Sequence, residues 1–269
     1  MEVIDYDLTY THTNSETKLY LLGDIHAGTI HCLENKVRDK VQEIKSTKNA
    51  IWIGMGDYGE FITPSDPRFD PSQKVTTSWL EQDDIADCQC NWIVDLFKPI
   101  AHKCVGLLYG NHEEAIRIHS HTNVHKHICE RLKVPNLGYS CFVRFRFKRD
   151  KSSESHIIKG CFTHGSGAAI TKGAKVNRLR RFMNDFNARI YGYAHVHDID
   201  QQRMPYITLS PSGKIIDDEA VGVLTGSWFS TYTQGTACSY GEKKAYPPTV
   251  IGCPVLILDP DKDKIQAIT

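Results

Sequence analysis

Five short polar clusters carry residue types that can do metal chemistry: Asp24-Ile-His26, Gly56-Asp57, Gly110-Asn-His-Glu113, His164-Gly165 and His195-Val-His197. Together they offer Asp24, His26, Asp57, Asn111, His164, His195 and His197, which is what a metal centre needs. With this composition, Gly-Asn-His-(Asp/Glu) arises by chance in about 0.4% of sequences. Four more clusters in order, each behind an apolar run, make coincidence a poor account.

The elements that must position these clusters are legible around them. Residues 18–22, 50–55, 104–109, 160–163 and 189–193 read as buried strands, and a cluster follows each one. Between them, residues 33–45, 81–100 and 173–186 read as helices. Ile85, Cys88, Trp92 and Leu96 recur three or four apart, and Val176, Leu179, Phe182 and Met183 gather on one side. Strand–helix alternation predicts an α/β layered fold with parallel pairing. In such a sheet the ligand crevice lies beyond the carboxyl ends of the strands, where all five clusters fall. A glycine ahead of a ligand lets the backbone turn sharply and approach an ion.

Beyond Asp198 the texture changes to strands and turns, over 204–210, 213–217, 220–225, 253–258 and 264–268, with no helix expected. This β-rich part, 199–269, is expected to form a second sheet packed on the motif-bearing part, 18–198, within one domain spanning 1–269. The loop from Gly59 to Ser78 is long and Pro-rich, and such loops commonly shape a site.

Composition bounds the function. Lys+Arg 32 against Asp+Glu 32 leaves no formal net charge, which argues against coating nucleic acid or an anionic membrane with the whole surface. A local basic groove stays open. Apolar content of 41% and charged content of 24% rule out disorder, collagen and coiled coil. The first residues, Met1 to Asp7, carry acids where a secretory leader needs a basic and then an apolar region. No stretch approaches the ~18 apolar residues of a membrane span. The nine cysteines are scattered without a Cys-x-x-Cys pair, Cys88 and Cys90 being closest. Free thiols in a reducing cytoplasmic setting are therefore expected.

The five clusters resemble the calcineurin-like metallophosphoesterase superfamily, whose signature runs Asp-x-His, Gly-Asp, Gly-Asn-His-(Asp/Glu), a lone His and Gly-His-x-His. The resemblance spans roughly residues 18 to 198. It implies a four-layer α-β-β-α sandwich, with two packed mixed β-sheets flanked by helices. It also implies that Asp24, His26 and His197 hold one metal ion, that Asn111, His164 and His195 hold another, and that Asp57 bridges them. Mixed nitrogen and oxygen ligands suit Mn²⁺ first, with Fe, Zn²⁺, Ni²⁺ or Co²⁺ as alternatives, over Ca²⁺. Two ions ~3.5–4 Å apart would activate a bridging water and clamp the phosphoryl oxygens during in-line attack. By the same resemblance His112 would protonate the leaving oxygen. Glu113 suits the N-terminus of the helix that follows.

Two positions depart from the signature. Ala194 stands where glycine is usual, so a positive φ there would be strained. The second cluster continues Asp57-Tyr-Gly-Glu60 and lacks the Asp-Arg-Gly of Ser/Thr protein phosphatases, with its phosphate-binding arginine. That weakens a protein-phosphatase reading.

Other polar groups carry two readings each. His121 and His125, one helical turn apart, could bind a transition metal, but nothing nearby completes a set and a solvated helix start is expected. Lys172, Lys175, Arg178, Arg180 and Arg181 make a basic concentration. Lys175, Arg178 and Arg181 share a helix face that is either a rail for substrate phosphates or a solvated surface. Gly165-Ser-Gly167 reads as a turn, because no Gly-Lys-(Ser/Thr) follows it. Arg117 either holds a substrate phosphate or pairs with Glu113 or Glu114. Tyr58, Phe61 and Phe69 either stack a nucleobase or pack beneath the Pro-rich loop.

Residues and resemblance together imply metal-dependent phosphoester hydrolysis, first as a phosphodiesterase acting on nucleic acid or a nucleotide, with no membrane partner. A phosphomonoesterase, including a phosphoprotein phosphatase, is the alternative. From another class comes a catalytically silent metal-bound scaffold, which should have lost ligands or His112; here all are present. Oligomeric state is not legible.

Overall fold

The computed structural model describes residues 1–11, 15–69, 79–210 and 212–269. Part of the Pro-rich loop, residues 70–78, lies outside the described residues. In chain order the elements begin with β1 (Glu2–Tyr10), β2 (Thr17–Leu22), α1 (Glu34–Ser46), β3 (Ala50–Gly54), α2 (Ile85–Phe97) and β4 (Cys104–Leu107). Next come α3 (Asn111–Ser120), α4 (Val124–Leu132), β5 (Ser140–Arg149), β6 (Ser155–Thr163), α5 (Lys172–Asp185) and β7 (Ile190–Tyr193). The chain closes with β8 (Ile199–Leu209), β9 (Ile215–Thr225), α6 (Tyr240–Lys243), β10 (Val255–Asp259) and β11 (Lys264–Ile268).

The strands form two mixed sheets, ordered β1-β5-β6-β7-β9-β8 and β11-β10-β2-β3-β4. Every residue of β3, Ala-Ile-Trp-Ile-Gly, is buried, because both of its faces are covered. Leu19, Leu21, Ile51 and Ile53 meet Val143, Phe145, Phe162 and Val223 in the core between the sheets. On the other face, Tyr20, Leu22 and Trp52 pack under Val37, Val41, Ile93, Phe97 and Ile128 of α1, α2 and α4. Trp52 keeps its indole N–H satisfied by donating to the Ile100 carbonyl at 2.9 Å. Across the six-stranded sheet, Leu179, Phe182 and Met183 of α5 cover Cys161, Tyr191 and Leu224. Burying each such side chain contributes about 1.5–3 kcal/mol. The outcome is the expected four-layer α-β-β-α sandwich.

Two strands were not among those expected. β1 and β5 pair in parallel from Glu2↔Cys141 to Tyr10↔Arg149. Both alternate instead of running continuously apolar. Val143, Phe145 and Phe147 point inward, while Arg144 and Arg146 face out and pair with Asp5 and Asp7.

The tail also departs from expectation, since residues 199–269 make no sheet of their own. β9 pairs in parallel with β7 and antiparallel with β8, whereas β10 lies between β2 and β11. Each sheet would otherwise expose an unpaired backbone edge beside β7 or β2. Residues 215–225 form one strand, and α6 is a single turn where no helix was expected.

The histidine-rich stretch is corrected too. His121 takes a left-handed backbone (φ 52) and ends α3, so His121 and His125 do not share a helix. His125 is buried with Nε2 3.1 Å from Asn136 Oδ1, and burial lowers its pKa to about 4. It is a core histidine. Among the described residues no helix is long and apolar enough to cross a membrane. Cys32, Cys88, Cys90, Cys104, Cys129, Cys141, Cys161 and Cys253 are free thiols.

What positions the site is strand direction. β2, β3 and β4 run parallel in one sheet, and β6, β7 and β9 in the other. The carboxyl ends of the two triplets open on the same place.

Candidate metal centre

Past the ends of β2 and β3 the two chains keep pairing. Asp24 N–H donates to Gly56 O (2.9 Å), Ile25 N–H to Asp57 O (2.8 Å) and Ala27 N–H to Tyr58 O (2.9 Å). This lays the first two clusters side by side. Gly56 has φ 91, and a Cβ there would sit 2.6 Å from His164 Nδ1; a Cβ on Gly110 would fall 2.1 Å from Asp57 Oδ1. Only glycine lets these backbones come so close to donor side chains.

Asp24, His26, Asp57, His195 and His197 all adopt positive φ, at 48, 54, 51, 70 and 49°. Left-handed backbone costs a non-glycine residue on the order of 1–3 kcal/mol and persists where its surroundings over-determine it, typically at functional sites. The strain foreseen at Ala194 falls instead on its neighbour. Val196 N–H donates to Ala194 O at 2.8 Å, a γ-turn with His195 at the corner.

Two groups of donor atoms result. In the first, Asp24, His26 and His197 bring one ligand atom each to within 4.8 Å of one another; in the second, Asp57, His164 and His195 do the same. His26 Nε2 lies 3.0 Å from His197 Nε2, which lies 3.3 Å from Asp24 Oδ1. His164 Nε2 is 3.2 Å from both Asp57 Oδ2 and Asn111 Oδ1. The groups are tied together, since the His195 backbone N–H donates to Asp24 Oδ2 at 3.1 Å.

Hydrogen bonds on the far side of the rings fix which nitrogen faces the centre. His26 Nδ1 is 2.9 Å from Glu60 Oε2, and His164 Nδ1 is 2.8 Å from the Met55 carbonyl. Both Nδ1 atoms must donate to these acceptors, which leaves each Nε2 as the ring nitrogen that faces inward. Asp24 Oδ1 and His195 Nδ1 are buried with no hydrogen-bond partner. Unpaired, inward-facing donors of mixed oxygen and nitrogen type are what a divalent transition ion would satisfy, so the residues fit a metal.

The electrostatics agree. Burial alone would raise the Asp57 carboxyl, yet His164 and His112 hold it well below the usual range. Burial would lower His164, yet Asp57 and Asp24 lift it to about 10. His195 falls to about 4 through burial and the nearby His164. Such opposed pKa values among neighbouring groups mark a charge-dense pocket.

A third group of donor atoms joins His26, Glu60 and His112. Its geometry is that of support. The Glu60 carboxylate accepts a hydrogen bond from His26 Nδ1, and the Glu60 backbone carbonyl is 2.6 Å from His112 Nδ1. One residue thus orients both rings, leaving His112 Nε2 turned away from Glu60. Burial would raise Glu60, but His112 and His26 pull it down to about 2. Glu60→Gln is expected to weaken metal binding roughly 10–100-fold with the fold intact, as outer-sphere partners of ligating histidines usually do. Calorimetric titration with Mn²⁺ checks this, and unchanged affinity would mean the His26 ring is oriented by something else.

Glu113 sits at the start of α3 as expected, and does more there. Its carboxylate accepts from the N–H groups of Gly110 (2.8 Å), Asp57 (2.9 Å) and Tyr58 (2.8 Å), riveting the second cluster to the third. Burial and the charge of Asp57 raise its pKa. Glu113→Ala strands three buried donors and should cost about 3 kcal/mol or more in a denaturant melt. A loss under about 1 kcal/mol would contradict the rivet.

The residues expected to touch substrate fare differently. Arg117 projects from α3 half-exposed and forks onto Glu114, at 3.0 and 2.6 Å. Lys175 is buried, 3.4 Å from Asp198 Oδ2, and Lys172 lies 2.9 Å from Asp198 Oδ1. Arg178 lies over Gly167, in the loop that follows His164. The basic face of α5 is therefore partly spent on internal ion pairs. Tyr58 is buried and donates to Leu108 O at 2.7 Å, and Phe61 is buried as well, so both pack; Phe69 is exposed.

Sequence reasoning missed three contributors. Glu60 was visible only as part of a departure from the signature. Arg68, within the Pro-rich loop, reaches 3.4 Å from His112 Nε2. The segment after β9 also reaches the centre. Ser227 Oγ and Trp228 N–H both donate to Asp24 O at 2.9 Å, and the Phe229 ring packs against His26 at 5.5 Å. No local motif marks it.

No protein-family model and no curated protein matches the chain. Solved structures do. One is Vps29 of Chaetomium thermophilum, 11% identical over 95% of both chains with a TM-score of 0.39. Another is a predicted phosphoesterase of Streptococcus pneumoniae TIGR4, 13% identical over 94% of this chain and 97% of that one, at 0.32. A third is Vps29 of Entamoeba histolytica complexed with Zn²⁺, 9% identical over 94% and 97%, at 0.36. With overlaps this low, what this centre does is read from its own atoms.

Proposed function

We propose that this chain is a metal-dependent phosphoesterase, acting as a phosphodiesterase on a nucleotide or nucleic acid. One observation carries the reading: two groups of inward-facing donor atoms stand where the carboxyl ends of the parallel strands of both sheets meet, beside a histidine whose ring is fixed by its Nδ1. Asp24, His26 and His197 would hold one divalent ion and Asn111, His164 and His195 the other, with Asp57 Oδ2 between them. When bound, two such ions, Mn²⁺ first among them, activate a water and neutralise charge on the phosphoryl oxygens.

The chain's own residues do the rest. His112, when protonated at both ring nitrogens, would deliver the Nε2 proton to the leaving oxygen and keep its Nδ1 N–H on the Glu60 carbonyl. Glu60 keeps that nitrogen turned toward substrate, since its carbonyl engages Nδ1. The His112 backbone N–H holds Asp57 Oδ1 at 2.9 Å, which leaves Oδ2 for the metals. A complete donor set with its proton donor counts against a silent scaffold. Because Lys172 and Lys175 are engaged with Asp198, a nucleotide-sized diester suits the site better than a long strand lying on α5. The free thiols suit a reducing, cytoplasmic setting.

The test is to load the protein with Mn²⁺ and compare a chromogenic phosphodiester with its monoester analogue, with His112→Ala as control. The expected result is a diester preference that the control loses. A monoester preference would replace this reading with a phosphatase. Hydrolysis of neither ester would leave the scaffold.

A further inference from the structure

The chain lacks the Asp-Arg-Gly arginine after its second cluster, yet a guanidinium stands at the centre by another route. Arg68 arrives from the loop that follows Glu60. Asp66, itself buried, grips it three times: Oδ1 accepts from the Arg68 backbone N–H (2.8 Å) and from Nε (3.0 Å), and Oδ2 accepts from Nη2 (2.7 Å). Asp66 is held in turn by its N–H to Thr63 O at 2.8 Å and by Phe69 N–H to its carbonyl at 2.9 Å. The grip uses one edge of the guanidinium. Nη1 carries two N–H groups and lies 3.4 Å from His112 Nε2, where one of them donates to the ring nitrogen while that nitrogen bears no proton and the other stays available.

We propose that Arg68 is a substrate-binding residue that holds a non-bridging phosphoryl oxygen beside the leaving-group oxygen, with Asp66 as its brace. This rests on the phosphoesterase reading of the same centre. The proton donor and the guanidinium address the same small volume. An oxygen within reach of His112 Nε2 brings its neighbours on the same phosphorus within reach of Nη1. A guanidinium whose other edge is already fixed loses little freedom on meeting an anion, and its charge-assisted N–H bonds are the strong kind. Arg117 offers no such arrangement, because both arms of its fork go to Glu114 on an exposed helix face.

The experiment uses the full chain loaded with Mn²⁺ and the variants Arg68→Ala and Arg68→Lys. Three quantities are read: metal content by elemental analysis, affinity for inorganic phosphate by calorimetry, and kcat and KM on the chromogenic phosphodiester. Metal content should stay at the parent level in both variants. Phosphate affinity should fall about tenfold or more in Arg68→Ala, and kcat/KM roughly 100-fold, as for removal of one donor to a reacting oxyanion. Arg68→Lys should recover part of the phosphate affinity, since it keeps the charge and loses the fork. Phosphate affinity and kcat/KM unchanged in Arg68→Ala would overturn the proposal, and so would loss of metal, which would make Arg68 a support for the ligands. The two readings fail separately. Arg68-dependent phosphate binding in a parent protein that hydrolyses nothing would sink the phosphoesterase and keep the anion site. Hydrolysis that needs His112 and ignores Arg68 would do the reverse.

Discussion

Asp57→Asn is expected to strip metal from both halves of the centre while the chain stays folded. The two oxygens of Asp57 have different duties. Oδ1 accepts the His112 backbone N–H at 2.9 Å, and Oδ2 faces His164 Nε2 at 3.2 Å. An asparagine amide has one oxygen and one NH₂ to place there. With nitrogen toward His112, two donors face each other; with nitrogen toward His164, the bridging position loses its lone pair. Both orientations also remove a charge that is held well below its usual pKa by His164 and His112. Affinity should therefore drop by more than the roughly 10–100-fold of an outer-sphere change. Elemental analysis after dialysis is the measurement, with a melt of the metal-free variant as the folding control. Two ions retained per chain would remove Asp57 from the bridging role.

His112→Ala should have the opposite profile, with metals kept and turnover lost. The contact that His112 makes to Asp57 comes from its backbone, so truncating the ring leaves Asp57 Oδ1 satisfied. What disappears is Nε2, the nitrogen that Glu60 turns away from itself by engaging Nδ1 and that Arg68 Nη1 approaches to 3.4 Å. Losing a positioned proton donor typically lowers kcat by about 10²–10⁴-fold. The loss should shrink for an ester whose leaving group needs no proton, such as a nitrophenolate. Comparing His112→Ala on a nitrophenyl and on an alkyl diester tests that directly. An equal loss on both substrates would mean that His112 acts by positioning.

The gathering of the candidate donors was largely legible before folding because it is carried by local rules. A ligand placed just past a buried strand, with glycine before it, needs only the strand's own direction to arrive at the sheet edge. The helices with a continuous apolar face, 81–100 and 173–186, were equally plain, appearing as α2 and α5. β1 and β5 escaped notice because alternation such as Phe-Val-Arg-Phe-Arg-Phe is a weaker signal than an unbroken apolar run. Basic residues were misleading where burial decided their fate. Lys175 shares spacing with Arg178, but the fold sinks Lys175 against Asp198, 23 residues along the chain.

By itself the amino-acid order marked the candidate donors, Asp24, His26, Asp57, Asn111, His164, His195 and His197, and the layered α/β class, while His112 was singled out by the family resemblance. The donors and the class follow from residue type, strand periodicity and turn chemistry, which act over a few neighbouring residues. Only the tertiary structure decided that β8 to β11 divide between two sheets, that positive φ falls on His195 and not on Ala194, and that Asp57 Oδ1 accepts the His112 backbone N–H. It alone decided that Glu60 orients two histidines and that Arg68 ends beside His112. Those outcomes depend on packing, side-chain rotamers and loop path, which couple residues far apart in the chain and leave no short-range pattern to read.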